Sequence, residues 1–288
     1  MQRFAFVLCS LLLAGLVSAA DLGRVSEQNK LVVAVYESFP PFSFSDDSGA
    51  ADGIDVAVGR ELAKRLGVDA VIRLQPADES VEDDLRNAVW KGHYIGGGVA
   101  DVMLHVPIDP MFSARNTQVT FVAPYFREEI QVAYAPERFS GPLSLESFDS
   151  HLIGVETATL PDDFLLSTQS GRFVENVRHY PTQAAAVAAL GAGEVDAVLG
   201  HAAELDAQID GFDGLAMGRI ELFGLRRPFW DLGAAVKADN RLLGIAIGQA
   251  MSEMEHDGTL DAIFEAYGVD RLTPTIQPGP GMQSAENL

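Results

Sequence analysis

Cysteine is nearly absent from this sequence: Cys9 is the single one among 288 residues. Cys9 lies in an apolar N-terminal stretch. The rest of the chain therefore contains no cysteine, and it has no thiol for a disulfide, a metal site or a nucleophile. Basic residues are also few, with 20 Lys and Arg against 41 Asp and Glu and a net charge of −21. A surface this acidic repels nucleic acid and anionic lipid, so we expect neither as a partner. After the N-terminal stretch, no apolar run approaches the roughly 20 residues of a membrane-spanning helix, so we expect no membrane insertion.

Sequence motifs that mark common enzymes are missing as well. There is no Gly-x-Ser-x-Gly nucleophile elbow, no His-Glu-x-x-His pair and no Gly-x-x-x-x-Gly-Lys phosphate loop. The run Gly96-Gly97-Gly98 lacks the strand before it and the helix after it that a nucleotide loop requires, and it is typical of a tight turn. The six histidines are scattered, and no carboxylate completes a metal-ligand spacing around His93 and His105. We therefore expect a protein that is not an enzyme, with no catalytic residues, no bound metal and no cofactor.

The N-terminus has the features of a secretory signal peptide. Arg3 supplies a positive charge, residues 4–17 are almost all apolar, and Ser18-Ala19-Ala20 offers small residues before the polar Asp21. We expect cleavage near Ala20, which removes residues 1–20 and the cysteine with them. A retained anchor is the alternative, but the apolar stretch is short for a membrane span.

Strand-like and helix-like segments alternate along the rest of the chain, which favours an α/β fold with mainly parallel sheets. Apolar β-branched runs predict buried strands, as in Leu31–Tyr36, and apolar residues four apart predict a helix from Gly53 to Leu66. The other predicted strands are residues 70–74, 101–104, 119–123, 131–134, 153–155, 197–199 and 233–237. Further helices are predicted after the candidate N-cap Thr182, along residues 243–254 and over residues 260–267. Residues 271–288 are rich in proline, glycine and polar side chains, and we expect this tail to be disordered.

Acidic residues gather around two glycines near the start of the first predicted helix. They are Asp46, Asp47, Asp52 and Asp55. Their spacing does not fit a calcium loop, so we interpret them as solvated turn residues.

Several motifs follow one another in an order that resembles a known family. In chain order they are Phe39-Pro40-Pro41-Phe42, Gly53-Ile54-Asp55-Val56, Asp101, Arg115, Phe121-Val122-Ala123-Pro124-Tyr125, Ile153-Gly154-Val155, Gly193-Glu194-Val195-Asp196-Ala197 and Asp257-Gly258-Thr259. From about residue 31 to residue 269, the chain is thereby similar to the family 3 extracellular solute-binding proteins, which include amino-acid binders of ABC importers.

This resemblance implies a periplasmic protein with a two-lobed, periplasmic-binding-protein-like fold of type II. Its sheets would be mixed and mainly parallel, and the chain would cross the hinge between the lobes twice. Lobe 1 is expected to cover residues 30–127 and 233–270, and lobe 2 is expected to cover residues 128–232. A ligand would lie in the cleft between the lobes, and closure of the hinge would trap it.

The family's binding positions are altered in this sequence. The segment that holds a ligand carboxylate, which is similar to Gly-Met-Thr-x-Thr in the family, is replaced by residues 105–110, in which Asp109 would repel a carboxylate. The acidic residue that receives the ligand's ammonium is replaced by His201, and the family's Gly-Thr by Glu156-Thr157-Ala158. Arg115 remains, either as a ligand contact or as a partner in a surface or inter-lobe ion pair.

Aromatic side chains form a second group of candidates. Phe39 and Phe42 lie in a proline-held loop at the C-terminal end of a strand, where ligands bind in open α/β sheets. Trp90 and Trp230 could line the same cleft, although aromatic residues are more often part of the core. The candidate residues of a ligand- or partner-binding cleft are Glu37, Phe39, Phe42, Trp90, His105, Asp109, Arg115, Thr157, His201 and Trp230.

A longer run of sequence resembles a narrower group. Residues 90–94, 96–107, 109–110 and 123–128 are similar to the solute-binding-like proteins associated with quinoprotein (PQQ-dependent) dehydrogenases, including the methanol-oxidation J proteins MxaJ and XoxJ. That resemblance implies a periplasmic accessory protein that binds the dehydrogenase or a maturation ligand, while the dehydrogenase itself holds the quinone and its metal. We adopt this accessory role as the expected function. The alternative is a receptor that delivers a small, amino-acid-like molecule to an ABC importer.

Overall fold

The computed structural model describes residues 24–94, 96–225 and 228–275. The predicted signal peptide, residues 1–20, lies outside the described residues. The strands are β1 Lys30–Tyr36, β2 Phe44–Ser45, β3 Ala51–Asp52, β4 Asp69–Gln75, β5 Val102–Pro107, β6 Val119–Tyr134, β7 Ile153–Glu156, β8 Val177–Tyr180, β9 Ala197–His201, β10 Ala216–Gly218 and β11 Phe229–Lys237. The α-helices are α1 Arg24–Gln28, α2 Ile54–Arg65, α3 Val81–Leu85, α4 Pro110–Arg115, α5 Leu160–Ser167, α6 Gln183–Gly191, α7 Ala202–Ile209, α8 Arg241–His256 and α9 Thr259–Glu265. A π-helical turn covers Arg86–Trp90, and 3₁₀ turns cover Pro136–Arg138, Leu145–Asp149, Thr168–Ser170 and Val174–Asn176.

The main sheet has the strand order β4-β1-β5-β11-β6-β9-β7-β8, with β10 also paired to β6. In its first half, β1 pairs in parallel with β4 and β5, and in its second half β7 pairs in parallel with β8 and β9. Strand β6 joins the halves, because it pairs with β11 from Val119 to Glu129 and with β9 from Ile130 to Tyr134. Strand β11 runs back antiparallel to β6. The prediction of a mixed α/β fold with two crossing strands is confirmed.

Each half of the sheet has its own hydrophobic cores. In the first half they gather side chains of β1, β5, α2 and α8, and in the second half side chains of β7, β9, α5 and α6. We call residues 30–127 and 233–270 lobe 1 and residues 128–232 lobe 2, with the boundaries predicted from the sequence. Ala203 on α7 is an exception, because this lobe 2 residue packs into the core of lobe 1. Helix α7 therefore couples the lobes beside the crossing strands.

Helix α2 begins where the sequence predicts. Gly53 precedes it with a φ of +120°, and a Cβ at this position would lie 2.4 Å from the carbonyl oxygen of Phe42, so only glycine fits. Ile54 and Val58 are fully buried, as expected for residues four apart on one face of a helix. Asp55 is fully buried as well. The interpretation of Asp55 as a solvated turn residue is therefore wrong, since the helix directs its carboxylate into lobe 1.

Strand β6 differs from its prediction as two separate strands. It is one strand of 16 residues that contains Pro124. Ala123 has a φ of +52°, and the register with β11 shifts between Leu232 and Ala234. This irregularity accommodates the proline, which has no N–H to donate to a neighbouring strand.

The segment 271–275 was expected to be disordered, and for these residues that prediction is wrong. The Arg271 side chain is 3% exposed and forms ion pairs with two carboxylates of lobe 1. The carbonyl oxygen of Leu272 accepts the backbone N–H of Arg127 at 2.9 Å, so the segment runs along the hinge part of β6. The rest of the predicted tail, residues 276–288, lies outside the described residues.

Candidate functional site

The hinge carries a buried carboxylate, Glu128, on β6 opposite Trp230 of β11. Glu128 is 4% exposed, and its Oε1 accepts the backbone N–H groups of Glu129 (2.8 Å), Ala202 (3.0 Å) and Ala203 (3.5 Å). Because Ala202 and Ala203 begin α7, a side chain of the crossing strand satisfies the free N–H groups of this helix. Burial raises the pKa of Glu128 to about 7, although two nearby histidines act in the opposite direction. A carboxyl group that titrates near neutral pH therefore lies between the lobes.

Lobe 1 contributes a histidine that a buried carboxylate holds in place. The Nδ1 of His105 lies 3.0 Å from Oδ2 of Asp55, which is fully buried on α2. The hydroxyl of Tyr125 donates to Oδ1 of Asp55 at 2.5 Å and accepts the backbone N–H of His105 at 3.1 Å. Since a carboxylate only accepts hydrogen bonds, Nδ1 of His105 carries the proton and Nε2 is the ring nitrogen left for another contact.

Aromatic rings pack around His105. The ring of Phe39 lies 5.0 Å from the His105 ring and that of Phe42 lies 4.3 Å from it, and the two phenylalanines stack on each other at 5.2 Å. Phe42 is fully buried, whereas Phe39 is half-buried. Of the two phenylalanines among the predicted site residues, Phe42 therefore supports the histidine from the core, and Phe39 has surface available to a ligand.

Lobe 2 contributes a second histidine in a similar setting. The Nδ1 of His201 lies 3.2 Å from Oε1 of Glu204, one turn along on α7. The side-chain amide of Gln183 accepts the His201 N–H at 2.9 Å and donates to its carbonyl at 3.2 Å. The ring of Trp230 meets the imidazole edge-to-face at 5.6 Å. His201 is thus fixed by contacts to its backbone, its Nδ1 and one side of its ring.

Carboxylates near His201 raise the pKa of its imidazole. Burial by itself would lower the pKa of His201, but Glu204, Glu128 and Glu156 outweigh this effect and raise it. Glu156 ends β7 and accepts the backbone N–H of Gln183 at 3.0 Å. Burial raises the pKa of Glu156 as well.

These side chains form one group around the hinge. Glu128 accepts the N–H of Ala202, which follows His201 in the chain. The ring of Phe42 lies 4.3 Å from the His105 ring and 5.6 Å from that of Phe126, on the same strand as Glu128. Both imidazoles act to lower the pKa of Glu128. We call this group the hinge cluster. Its members are Asp55, His105, Glu128, Glu156, His201 and Glu204.

Two predicted site residues on α4 have other roles in this structure. Asp109 accepts the N–H groups of Met111 and Phe112, both at 2.9 Å, and so caps the N-terminus of α4. Arg115 is 62% exposed, and its guanidinium lies 3.6 Å from the carboxylate of Glu82. The structure thus shows Arg115 in the surface ion pair that the sequence left open as its alternative role.

Three further predicted residues make contacts outside the hinge cluster. Trp90 packs against a hydrophobic cluster of lobe 1. Glu37 is exposed and donates its backbone N–H to the Gln75 carbonyl at 2.8 Å. Thr157 is exposed, and its hydroxyl donates to the Tyr180 carbonyl at 3.0 Å. A contact of these residues with a ligand remains a prediction.

None of the four carboxylates of the hinge cluster, Asp55, Glu128, Glu156 and Glu204, was among the candidate residues predicted from the sequence. A signal existed for Glu128, because an ionisable side chain inside a long apolar strand requires a partner or a function. A signal also existed for Glu204, which follows His201 by three residues and can meet it on one face of a helix. Among the described residues, no three His, Cys, Asp or Glu side chains are grouped to hold a metal ion. In the same part of the chain, no helix is long and apolar enough to span a membrane.

Comparisons with known proteins agree with this architecture. A model of bacterial extracellular solute-binding proteins, family 3, matches residues 31–89. The L-cystine-binding protein TcyJ of Escherichia coli (strain K12) is 27% identical over 276 residues, which cover 93% of this chain and 96% of that protein. The probable ABC transporter arginine-binding protein ArtJ of Chlamydia trachomatis serovar D is 24% identical over 271 residues, with coverage of 93% and 95%.

Solved structures show the same fold. An ancestral cationic amino acid solute-binding protein superposes with a TM-score of 0.68 at 19% identity, over 86% of this chain and 99% of that chain. An amino acid ABC transporter substrate-binding protein from Streptococcus pneumoniae, bound to L-arginine, gives a TM-score of 0.59 at 20% identity, over 88% and 99%. Together these matches support family 3 of the bacterial solute-binding proteins and the two-lobed periplasmic-binding-protein fold.

The expected function as an accessory of a quinoprotein dehydrogenase is contradicted by the same matches. The curated relatives that match along 93% of the chain are cystine- and arginine-binding proteins. Nothing in these matches supports the narrower resemblance to methanol-oxidation J proteins. About half of the residues behind that resemblance lie in β5 and β6, where the structure shows strand pairing and support of the hinge.

Proposed function

We propose that this protein binds a small amino-acid-like molecule between its two lobes and delivers it to an ABC importer. The hinge cluster is the observation that carries the proposal. Its members come from lobe 1 (His105), from the crossing strand (Glu128) and from lobe 2 (His201). A ligand that contacts both histidines would stabilise the closed arrangement of the lobes, which is how hinge proteins capture solutes. The names of the relatives, which bind cystine and arginine, support the same substrate class.

The proposed activity is capture and release without a chemical step. Family 3 is defined by solute binding, and the hinge cluster has no serine, threonine or cysteine nucleophile among its members. Asp55 and Glu204 hold the two histidines in place, which suits a binding site as well as it suits catalysis. We assign the protein no reaction.

The proposed location is the periplasm, reached by export and cleavage near Ala20. The solute-binding family match and the signal-like residues 1–20 support this location. Intact-mass measurement of the protein purified from a periplasmic extract tests it. A mature chain that begins at Asp21 is the expected result, and a full-length chain in the cytoplasmic fraction would contradict it.

Ligand binding is tested on the mature chain after unfolding and refolding to remove any bound solute. Thermal-shift screening against the amino acids and cystine is followed by titration calorimetry of each hit. We expect at least one solute to bind with a Kd of about 10 μM or tighter. Affinity should fall by about 10-fold or more in His201→Ala and remain unchanged in His256→Ala, a control on the exposed end of α8. Absence of binding by every solute would refute the proposal, and so would an equal loss in both variants.

A further inference from the structure

The charge of the hinge cluster restricts the ligand that it can hold. It contains four carboxylates and two imidazoles, and none of the four has a Lys or Arg ion-pair partner within the described ranges. The carboxylates are held by imidazoles, by the Tyr125 hydroxyl and by backbone N–H groups. Even with Glu128 protonated, three carboxylates face two imidazoles. The cluster therefore keeps a negative charge, which attracts cations and repels anions.

The hydrogen-bonding groups of the cluster lead to the same conclusion. Each histidine presents Nδ1 to a carboxylate, at 3.0 Å for His105 and 3.2 Å for His201. Nε2 is therefore the ring nitrogen left for a ligand, and it accepts a hydrogen bond whenever the ring is neutral. All three hydrogen bonds to Glu128 go to Oε1, and no described residue donates to its Oε2. Lobe 1, the hinge and lobe 2 thus each offer one acceptor. A group with several N–H donors matches this arrangement.

None of the described residues gives the hinge cluster a Lys or Arg side chain that could anchor a ligand carboxylate. Arg115, the arginine that the sequence offers for this purpose, is 62% exposed beside Glu82. Asp109 on the same helix is used as its N-cap. Two aromatic rings lie beside the imidazoles instead, with Phe39 at 5.0 Å from His105 and Trp230 at 5.6 Å from His201. An aromatic face attracts a cation that lies within about 6 Å of the ring centroid, so these rings suit a cationic ligand group.

We propose that the hinge cluster recognises the ammonium or guanidinium group of its ligand and that the ligand's carboxylate contributes little to binding. This inference rests on the proposed function and narrows its ligand class. The class then includes basic amino acids and also amines and guanidines that have no carboxylate. Such ligands would donate to Nε2 of both histidines and to Oε2 of Glu128.

Matched pairs of solutes test the proposal on the refolded mature chain. Calorimetry at pH 8 compares L-arginine with agmatine and L-lysine with cadaverine, which differ within each pair by the carboxylate alone. We expect the two Kd values of a pair to agree within about 10-fold, whichever pair binds. L-glutamate should bind at least about 100-fold more weakly than the best cation. Arg115→Ala should leave all these affinities unchanged.

A second set of variants identifies the recognising groups. Glu128→Gln should weaken the binding of the amines by about 10-fold or more, because it removes a charge from the site. Glu129→Gln is the matched control, since the neighbouring Glu129 side chain faces Arg219 at 3.1 Å and should be neutral for binding. Melting curves and circular dichroism of each variant show that it is folded before its affinity is read.

The outcomes separate this inference from the proposed function. If amino acids bind but their carboxylate-free partners bind about 100-fold more weakly, the carboxylate is recognised, and the present inference is wrong while the proposed function stands. An equal loss of affinity for the amines in Glu128→Gln and Glu129→Gln would also overturn the inference. If no solute binds at all, both proposals fail.

Discussion

Glu128→Gln should increase the stability of the protein at pH 8 while it weakens ligand binding. The unfolded carboxyl ionises above its ordinary pKa of 4.5, but the folded one ionises only above about 7. Between these values the folded state binds more protons, so the free energy of unfolding falls as the pH rises. The loss of folding stability caused by ionised Glu128 is complete above about pH 7 and absent below pH 4.5. Glutamine keeps an oxygen for the three N–H donors and has no charge to bury.

The size of this effect follows from the pKa shift. A difference of one pKa unit is about 1.4 kcal/mol, so a rise from 4.5 to about 7 corresponds to about 3 kcal/mol at pH 8. With a change in Tm of about 2–4 °C per kcal/mol for a chain of this size, Glu128→Gln should melt about 6–12 °C higher at pH 8. At pH 5 the two proteins should melt within a few degrees of each other, because the folded carboxyl is then protonated.

Thermal melts of the two proteins between pH 5 and pH 8.5 provide the assay, with no ligand present. Other carboxyl groups with a raised pKa, such as Asp84 and Asp206, also change how the melting temperature of each protein depends on pH. They are common to both proteins and cancel in the difference between them. Glu129→Gln serves as the control and should follow the wild type. A Glu128→Gln protein that melts lower than the wild type at pH 8, or by an amount that does not depend on pH, would refute the reasoning.

Two further substitutions test the packing that supports the hinge cluster. Arg271→Ala should cost about 2 kcal/mol in urea unfolding, because it removes a 3% exposed guanidinium that pairs with two carboxylates. Arg172→Ala, at an exposed side chain paired with Asp149, should have a clearly smaller effect. Gly53→Ala should cost more than about 3 kcal/mol, since its Cβ would lie 2.4 Å from the Phe42 carbonyl oxygen. Gly49→Ala, at a φ of +82° with no atom within 4 Å, measures the backbone strain alone and should cost about 1 kcal/mol. Equal losses within either pair would contradict the corresponding argument.

Local periodicity predicted most of the elements in lobe 1. The four-residue spacing of apolar residues in α2 and the short β-branched run of β1 are properties of neighbouring residues, so the sequence contains them directly. In lobe 2, the N-cap Thr182 was also predicted from local sequence, and its side chain accepts the N–H of Ala185 at 3.2 Å. The continuity of β6 was not predicted, because Pro124 resembles a strand break until the bulge that accommodates it is seen.

The candidate site depended on long-range contacts, and sequence patterns carry little information about these. Asp55 and His105 are 50 residues apart, yet they share a hydrogen bond. Asp55 was grouped with Asp46, Asp47 and Asp52 as a solvated turn residue, and only the structure shows that helix α2 buries it. Motif order located His105 and His201, but only the structure shows that each has a carboxylate partner. Arg115 illustrates the opposite case, since a matching position in sequence did not place its side chain at the cluster.

The position of Glu128 connects the stability of the protein with its binding function. A buried carboxylate with no cationic partner costs folding free energy, and an apolar or amide side chain would remove that cost. Such a cost is expected at a site where an arriving ligand supplies the missing positive charge, because binding then recovers the energy that folding lost. The same substitution, Glu128→Gln, should therefore raise the melting temperature of the ligand-free protein and lower its affinity for cations. A purely structural role for Glu128 predicts no loss of affinity, so the two measurements together distinguish a cap of helix α7 from a ligand-binding group.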